Sequence, residues 1–214
     1  RPSEPLTSGR NAATVAPMTS WVGLALAGLF IVLNGFFVAA EFSLVKVRDT
    51  QIAPLARRGD RRAEAARNVI SRLDRFLNAS QLGITLSSLA LGWIGEPALA
   101  AQIAPLFSLL GIGSGPVIHS IAFALSFILL AMLHILFGEL VPKSIGIRRS
   151  LETALASAPL LIGFRVLFWP FLALMDVLSN LVLRLLGMAS MAHPEGALSE
   201  EEIRLLIESD ESRV

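Results

Sequence analysis

The sequence has no cysteine and no tyrosine in 214 residues. Without cysteine there can be no disulfide, no thiolate metal site and no thiol nucleophile. Charge is scarce too: 16% of residues are Asp, Glu, Lys or Arg, against roughly 25% in a soluble domain. The net charge of +1 offers no broad basic surface for nucleic acid. No HExxH, GxSxG or P-loop pattern occurs, and no pair of membrane aspartates at useful spacing. Intramembrane proteolysis and ATP-driven pumping by this segment therefore have no machinery here, and the chain is read as a non-enzyme.

What is present is apolar surface. Hydrophobic residues make up 54% of the chain, and the mean hydropathy is +0.66. This predicts an all-α membrane protein. Residues 1–16 are polar with two prolines and read as a disordered extracytoplasmic tail; 17–187 read as the transmembrane domain. A first span is expected at about 20–46, interrupted by Asn34-Gly35, Glu41 and Ser43; it is too long, and ends too polar, for a cleaved signal peptide. Nine basic residues (Lys46, Arg48, Arg57, Arg58, Arg61, Arg62, Arg67, Arg72, Arg75) then face four acidic ones (Asp49, Asp60, Glu64, Asp74). By the positive-inside rule this connection is cytoplasmic and the N-terminus outside. Within it, Arg61 to Leu73 reads as a short amphipathic helix on the inner surface.

A second span is expected at about 77–94. Asn78, Gln81, Thr85, Ser88 and Gly92 are spaced 3, 4, 3 and 4 apart and so share a helical face, read as facing inward. Helix–helix packing explains Gly83, Ser87 and Gly92 well, but Asn78 and Gln81 less well, because large amides bring more groups to satisfy. Residues 93–117 carry no Lys or Arg and read as outside, with short apolar pieces at 98–103 and 106–110 on the outer leaflet. A third span, about 117–140, returns to the basic Lys143, Arg148 and Arg149. Trp21, Trp93 and Trp169 sit at the ends or breaks of these runs, where indole rings act as interfacial anchors.

The third span closes on His134 to Lys143, HILFGELVPK. Pro142 has no N–H, so the Gly138 carbonyl, four residues back, loses its helical partner. A free carbonyl beside Glu139 offers oxygens to a hard cation; the bland alternative is a helix end with Glu139 in water. Residues 151–187 are interrupted by Pro159 and Pro170. The polar line Arg165, Asp176, Asn180 and Arg184 fits helices lying along the inner interface as a juxtamembrane belt. Beyond Gly187, residues 188–214 read as a linker and the start of a cytosolic region. Ser199 and Glu202 form a capping box there, and the chain ends inside that helix, so a soluble domain is expected to follow.

Three spans thus contribute oxygen-bearing residues: Asn34, Glu41 and Ser43; Asn78, Gln81, Thr85, Ser87 and Ser88; Gly138 and Glu139. His119 and His134 are 15 residues apart, and His134 reads as a packed histidine rather than a ligand. Oxygen-only ligation points to Mg²⁺, Ca²⁺, Mn²⁺, Na⁺ or K⁺. Glu41 and Ser43 lie about 200° apart on a regular helix. Ser43 is the favoured ligand; Glu41 either makes a structural hydrogen bond or serves a coupling ion.

The segments NGFFVAAEFSLVKVR (34–48), NASQLGITLSSLALGWIGEP (78–97) and FGELVPKSIGIR (137–148) resemble the transmembrane domain of the CorC/cyclin M magnesium transporters. LSEEEIRLLIE (198–208) resembles the junction leading to their cytosolic CBS domains. The resemblance implies a homodimer with three transmembrane helices per subunit and a cytoplasmic helix belt. It implies Mg²⁺ transport in the cell membrane, with export driven by Na⁺, and regulation by ATP through CBS domains that this chain lacks. Carried onto this sequence, the metal site is Ser43, the Thr85, Ser87 and Ser88 region, and Glu139 with Gly138. Asn34, Glu41, Asn78 and Gln81 are then cavity or coupling-ion residues. The competing reading is a Mg²⁺-binding membrane sensor or scaffold that regulates another transporter.

Overall fold

The computed structural model describes residues 20–109 and 116–187. The expectations for the N-terminal tail and for the 188–214 linker and capping box lie outside them. The described residues are helical, without strands. They form α1 (Ser20–Lys46), α2 (Asp49–Arg57), α3 (Arg61–Ile70), α4 (Leu73–Leu109) and α5 (Pro116–Leu133). A π-helical segment, His134–Leu140, follows, then α6 (Val141–Arg148), α7 (Ser150–Leu167) and α8 (Trp169–Leu185).

Among the described residues, four stretches are long and apolar enough to cross a membrane: Trp21–Lys46, Leu73–Ile103, Ser120–Arg148 and Ser150–Leu167. The expected three spans correspond to the first three, but two of them run further than their hydropathy. α4 is one helix of 37 residues ending at Leu109, so it runs on through the piece expected at 98–103 and into the one expected from 106. Trp93 accordingly lies mid-helix, 85% exposed. The third span does not stop at 140; it passes through the π segment into α6 and ends at Arg148. Pro159 sits inside α7 without breaking it. The break comes at Phe168, and Pro170 falls in the first turn of α8, where a missing N–H costs nothing.

α1 is the hub, packing on α4, α6, α7 and the π segment. Its contact with α4 is made mostly by small residues: Ala79, Gly83, Ser87 and Gly95, with Leu91 among them, recur every four residues and are buried. A Cβ on Gly83 would sit 2.6 Å from the Phe37 ring, and one on Gly95 3.1–3.2 Å from Leu130, Ala27 and Leu91. Such rows let helix backbones approach closely where no hydrophobic drive favours association. Ala27, Leu91 and Leu130 form one core between α1, α4 and α5.

A second core lies at the basic end. Leu44 of α1, Val47 just after it, Ile52 of α2, Ala63, Ala66 and Val69 of α3, and Ala154, Ala158 and Leu161 of α7 pack together. The basic connection is therefore a folded helical hairpin, and α2 was not foreseen. Its turn uses Gly59 at φ +83°, a conformation open chiefly to glycine. The Asp60 carboxylate then caps α3, accepting from the backbone N–H groups of Arg62 (2.8 Å) and Ala63 (3.4 Å).

α8 belongs to a separate compact unit that begins at Trp169. Arg165, expected to share a polar line with Asp176, Asn180 and Arg184, is on α7 instead, with its guanidinium 5.1 Å from the Phe76 ring centre.

Candidate polar site between the spans

The π segment follows from its sequence. Pro142 cannot donate to the Gly138 carbonyl, and the Val141 N–H reaches five residues back to Leu136 rather than four. Wide turns of this kind are rare and concentrate at functional positions. The carbonyl so released is not left open, as the sequence reading expected. Asn34 of α1, fully buried, donates its Nδ2 to the Gly138 oxygen at 3.0 Å.

The Asn34 side chain has a second partner. Ser88 of α4 donates its hydroxyl to Asn34 Oδ1 at 3.1 Å, and Ser88 Oγ itself lies 3.4 Å from His134 Nε2. Because the Ser88 proton goes to Asn34, the Ser88 oxygen keeps its lone pairs for the imidazole, and a hydrogen bond there needs the proton on Nε2. Asn34, Ser88, His134 and the Gly138 carbonyl thereby link α1, α4 and the π segment in one chain of hydrogen bonds. Gly138 is required at its place: a Cβ there would lie 2.8 Å from His134 Cδ2 and 3.2 Å from Asn34 Nδ2.

Two further glycines bring α6 onto α1. A Cβ on Gly35 would sit 2.9 Å from Pro142 Cγ and 3.1 Å from the Phe137 carbonyl oxygen. A Cβ on Gly146 would be 2.6 Å from the Ala39 carbonyl oxygen and 3.2 Å from the Ser43 nitrogen. Ser43 is fully buried in this seam, its hydroxyl donating at 2.8 Å to Ala40 in its own helix. Asn34 and Ser43, nine residues apart, point to opposite sides of α1, about 180° around a regular helix.

The remaining candidates are dispersed. Asn78, Gln81, Thr85 and Gly92 are exposed, and Ser88 is half-buried. Apart from Ser88, which reaches Asn34, the polar line expected to face inward therefore lies on the outer side of α4 in a single chain, because the small-residue row about 100° away takes the α1 contact. Thr85 donates to the Gln81 carbonyl at 2.8 Å. Ser87 is buried on the α1-facing row. Glu139 is exposed, one step round from the buried Gly138. Glu41 is half-buried, and one carboxylate oxygen, Oε2, is enclosed with no hydrogen-bond partner; the expected structural hydrogen bond is not made by that atom. The side chain of His119 lies outside the described residues.

Among the described residues no group of three or more His, Asp or Glu side chains comes together. An ion held here would depend on hydroxyl, amide and main-chain oxygens, the ligands of hard cations. The residues that sequence reasoning undervalued are Asn34, placed in the cavity rather than at its centre, and His134, read as packing. The available signal was the π-prone HILFGELVP run, where a histidine four residues before the glycine faces the same side.

A family model for the cyclin M transmembrane N-terminal domain matches residues 25–213. The chain belongs to this family. Among its relatives, the UPF0053 protein YhdT of Bacillus subtilis (strain 168) is 41% identical over 184 residues, covering 86% of this chain and 40% of YhdT. UPF0053 protein YugS of the same organism is 39% identical over 186 residues, covering 86% of this chain and 43% of YugS. UPF0053 protein sll0260 of Synechocystis sp. is 36% identical over 184 residues, covering 84% of this chain and 40% of sll0260. The chain thus spans less than half the length of these relatives. It is a multi-pass membrane domain of the cyclin M family, its apolar helices set in a lipid bilayer.

Proposed function

We propose that this cyclin M domain carries Mg²⁺ across the cell membrane by alternating access, coupled to Na⁺. The observation that carries the reading is the buried Asn34–Gly138 bond, which closes a π turn between three spans beside an exposed glutamate. A carbonyl freed from its helix and held by a side-chain amide can be released by rotating that amide. It then becomes a ligand next to Glu139. A network with every member paired is a closed state, and a cation supplies the alternative partner for Gly138, Asn34 Oδ1 and Ser88.

On this reading Ser43, Thr85, Ser87, Ser88, Gly138 and Glu139 line the Mg²⁺ path. Glu41, with its enclosed unpartnered oxygen, is the leading position for the coupling Na⁺, with Asn34, Asn78 and Gln81 along the cavity. Thr85 and the Asn78–Gln81 line are exposed in one chain, which favours a second subunit covering them in a homodimer. The basic hairpin and Arg148–Arg149 favour an outside N-terminus and a cytoplasmic C-terminus. α7 packs its Ala154–Leu161 row on the Arg-rich hairpin, which favours a position along the inner surface over a fourth crossing. ATP would act through CBS domains outside this chain.

Calorimetry on the purified protein tests the site. Ser43→Ala and Glu139→Ala are each expected to abolish a Mg²⁺-selective signal that Na⁺ and Ca²⁺ do not reproduce. Binding that survives both substitutions would make these residues packing contacts. Binding without flux would favour the sensor or scaffold role.

A further inference from the structure

The face of α6 turned away from α1 carries a groove of about 300 Å³ lined by Leu140, Val141, Ser144, Ile145, Arg148 and Arg149. Its residues fall in two rows with a four-residue step, Leu140–Ser144–Arg148 and Val141–Ile145–Arg149, so the groove runs along the helix axis. Along that axis its chemistry is ordered. The end nearest the π segment is apolar, a hydroxyl follows, and two guanidinium groups close the far end. Leu140 to Arg148 covers about 12 Å of helix rise.

We propose that this groove holds one anionic phospholipid, its acyl chain along Leu140, Val141 and Ile145 and its phosphodiester on Arg148 and Arg149. The order apolar, hydroxyl, guanidinium is the order acyl chain, glycerol ester, phosphate in a lipid standing in the same leaflet. Guanidinium groups match phosphate oxygens in geometry and charge. Arg149 has one competitor, Glu152, at 3.8 Å, with both side chains more than 70% exposed; such a surface pair is weak enough for a phosphate to displace. The groove begins one residue after Glu139 and shares its helix with Gly146, which seats α6 on α1. The inference does not depend on which ion the domain moves.

Native mass spectrometry of the delipidated full-length protein, titrated with phosphatidylglycerol or phosphatidylcholine, tests this. Wild type is expected to take up one phosphatidylglycerol per chain in preference to phosphatidylcholine. Arg148→Gln with Arg149→Gln should weaken that uptake about thirtyfold, from the attraction of two surface arginines for anionic lipid. Arg61→Gln with Arg62→Gln, on the hairpin, should leave it unchanged, and all variants remain monodisperse. Equal losses in the two double variants would reduce the effect to general surface charge and overturn the site. Equal uptake of both lipids, or displacement by millimolar inorganic phosphate, would overturn the lipid assignment.

Discussion

Asn34 and Gly138 stand 104 residues apart in sequence and 3.0 Å apart in space, amide nitrogen to carbonyl oxygen. The bond fixes α1 to the π segment at the point where Pro142 has removed the helix's own donor. In a bilayer, where water cannot substitute, a polar group without a partner is costly.

Removing that donor should be felt first as instability. Asn34→Ala leaves the Gly138 carbonyl and the Ser88 hydroxyl without their buried partner, a loss of about 1–3 kcal/mol. Thermal unfolding in detergent should show a lowered midpoint, whereas Thr85→Ala, at an exposed hydroxyl bonded within its own helix, should leave it in place.

Asn34, Ser88 and His134 should behave as one unit. A double-mutant cycle of Asn34→Ala with Ser88→Ala is expected to be non-additive by about 0.5–3 kcal/mol. Strict additivity in the unfolding free energies would mean that the hydrogen bonds at 3.1 and 3.4 Å contribute independently.

Glycines should divide by what surrounds them. Gly146→Ala drives a methyl to 2.6 Å from the Ala39 carbonyl oxygen, a backbone atom that cannot swing aside. Separation of α6 from α1 should cost about 1–3 kcal/mol. Gly92 has nothing within 4 Å of a Cβ, so Gly92→Ala should be neutral or stabilising by up to about 1 kcal/mol. Parallel unfolding curves check both.

Ser43 allows structure and ion binding to be separated. Its hydroxyl donates within its own helix to Ala40, so Ser43→Ala should change stability by less than about 1 kcal/mol. A loss of Mg²⁺ affinity with an unshifted unfolding midpoint would then report a lost ligand. A falling midpoint would report packing.

Much of this was legible in the sequence, and the limits have physical causes. The three apolar runs, the basic connection and the special character of Gly138 and Pro142 follow from hydropathy, charge and proline's missing N–H. Hydropathy is blind to continuity, so α4 through Leu109 and α6 beyond Pro142 were cut short. Period alone could not decide which face of α4 turns inward. The line 78–81–85–88 and the row 79–83–87–91 are both helical faces, about 100° apart, and close backbone approach to α1 selected the small residues. The partner of the Gly138 carbonyl was out of reach because it comes from another helix. Spacing within HILFGELVPK shows a carbonyl without a donor; only the packing of α1 on the π segment brings Asn34 to it.

The most direct test is Mg²⁺ flux by the purified full-length protein in proteoliposomes, with and without an imposed Na⁺ gradient. Wild type is expected to move Mg²⁺ and to respond to the gradient, and Ser43→Ala and Glu139→Ala to abolish flux while remaining folded. Flux by both variants at the wild-type rate, or none from wild type under any gradient, would contradict a transport path between these helices.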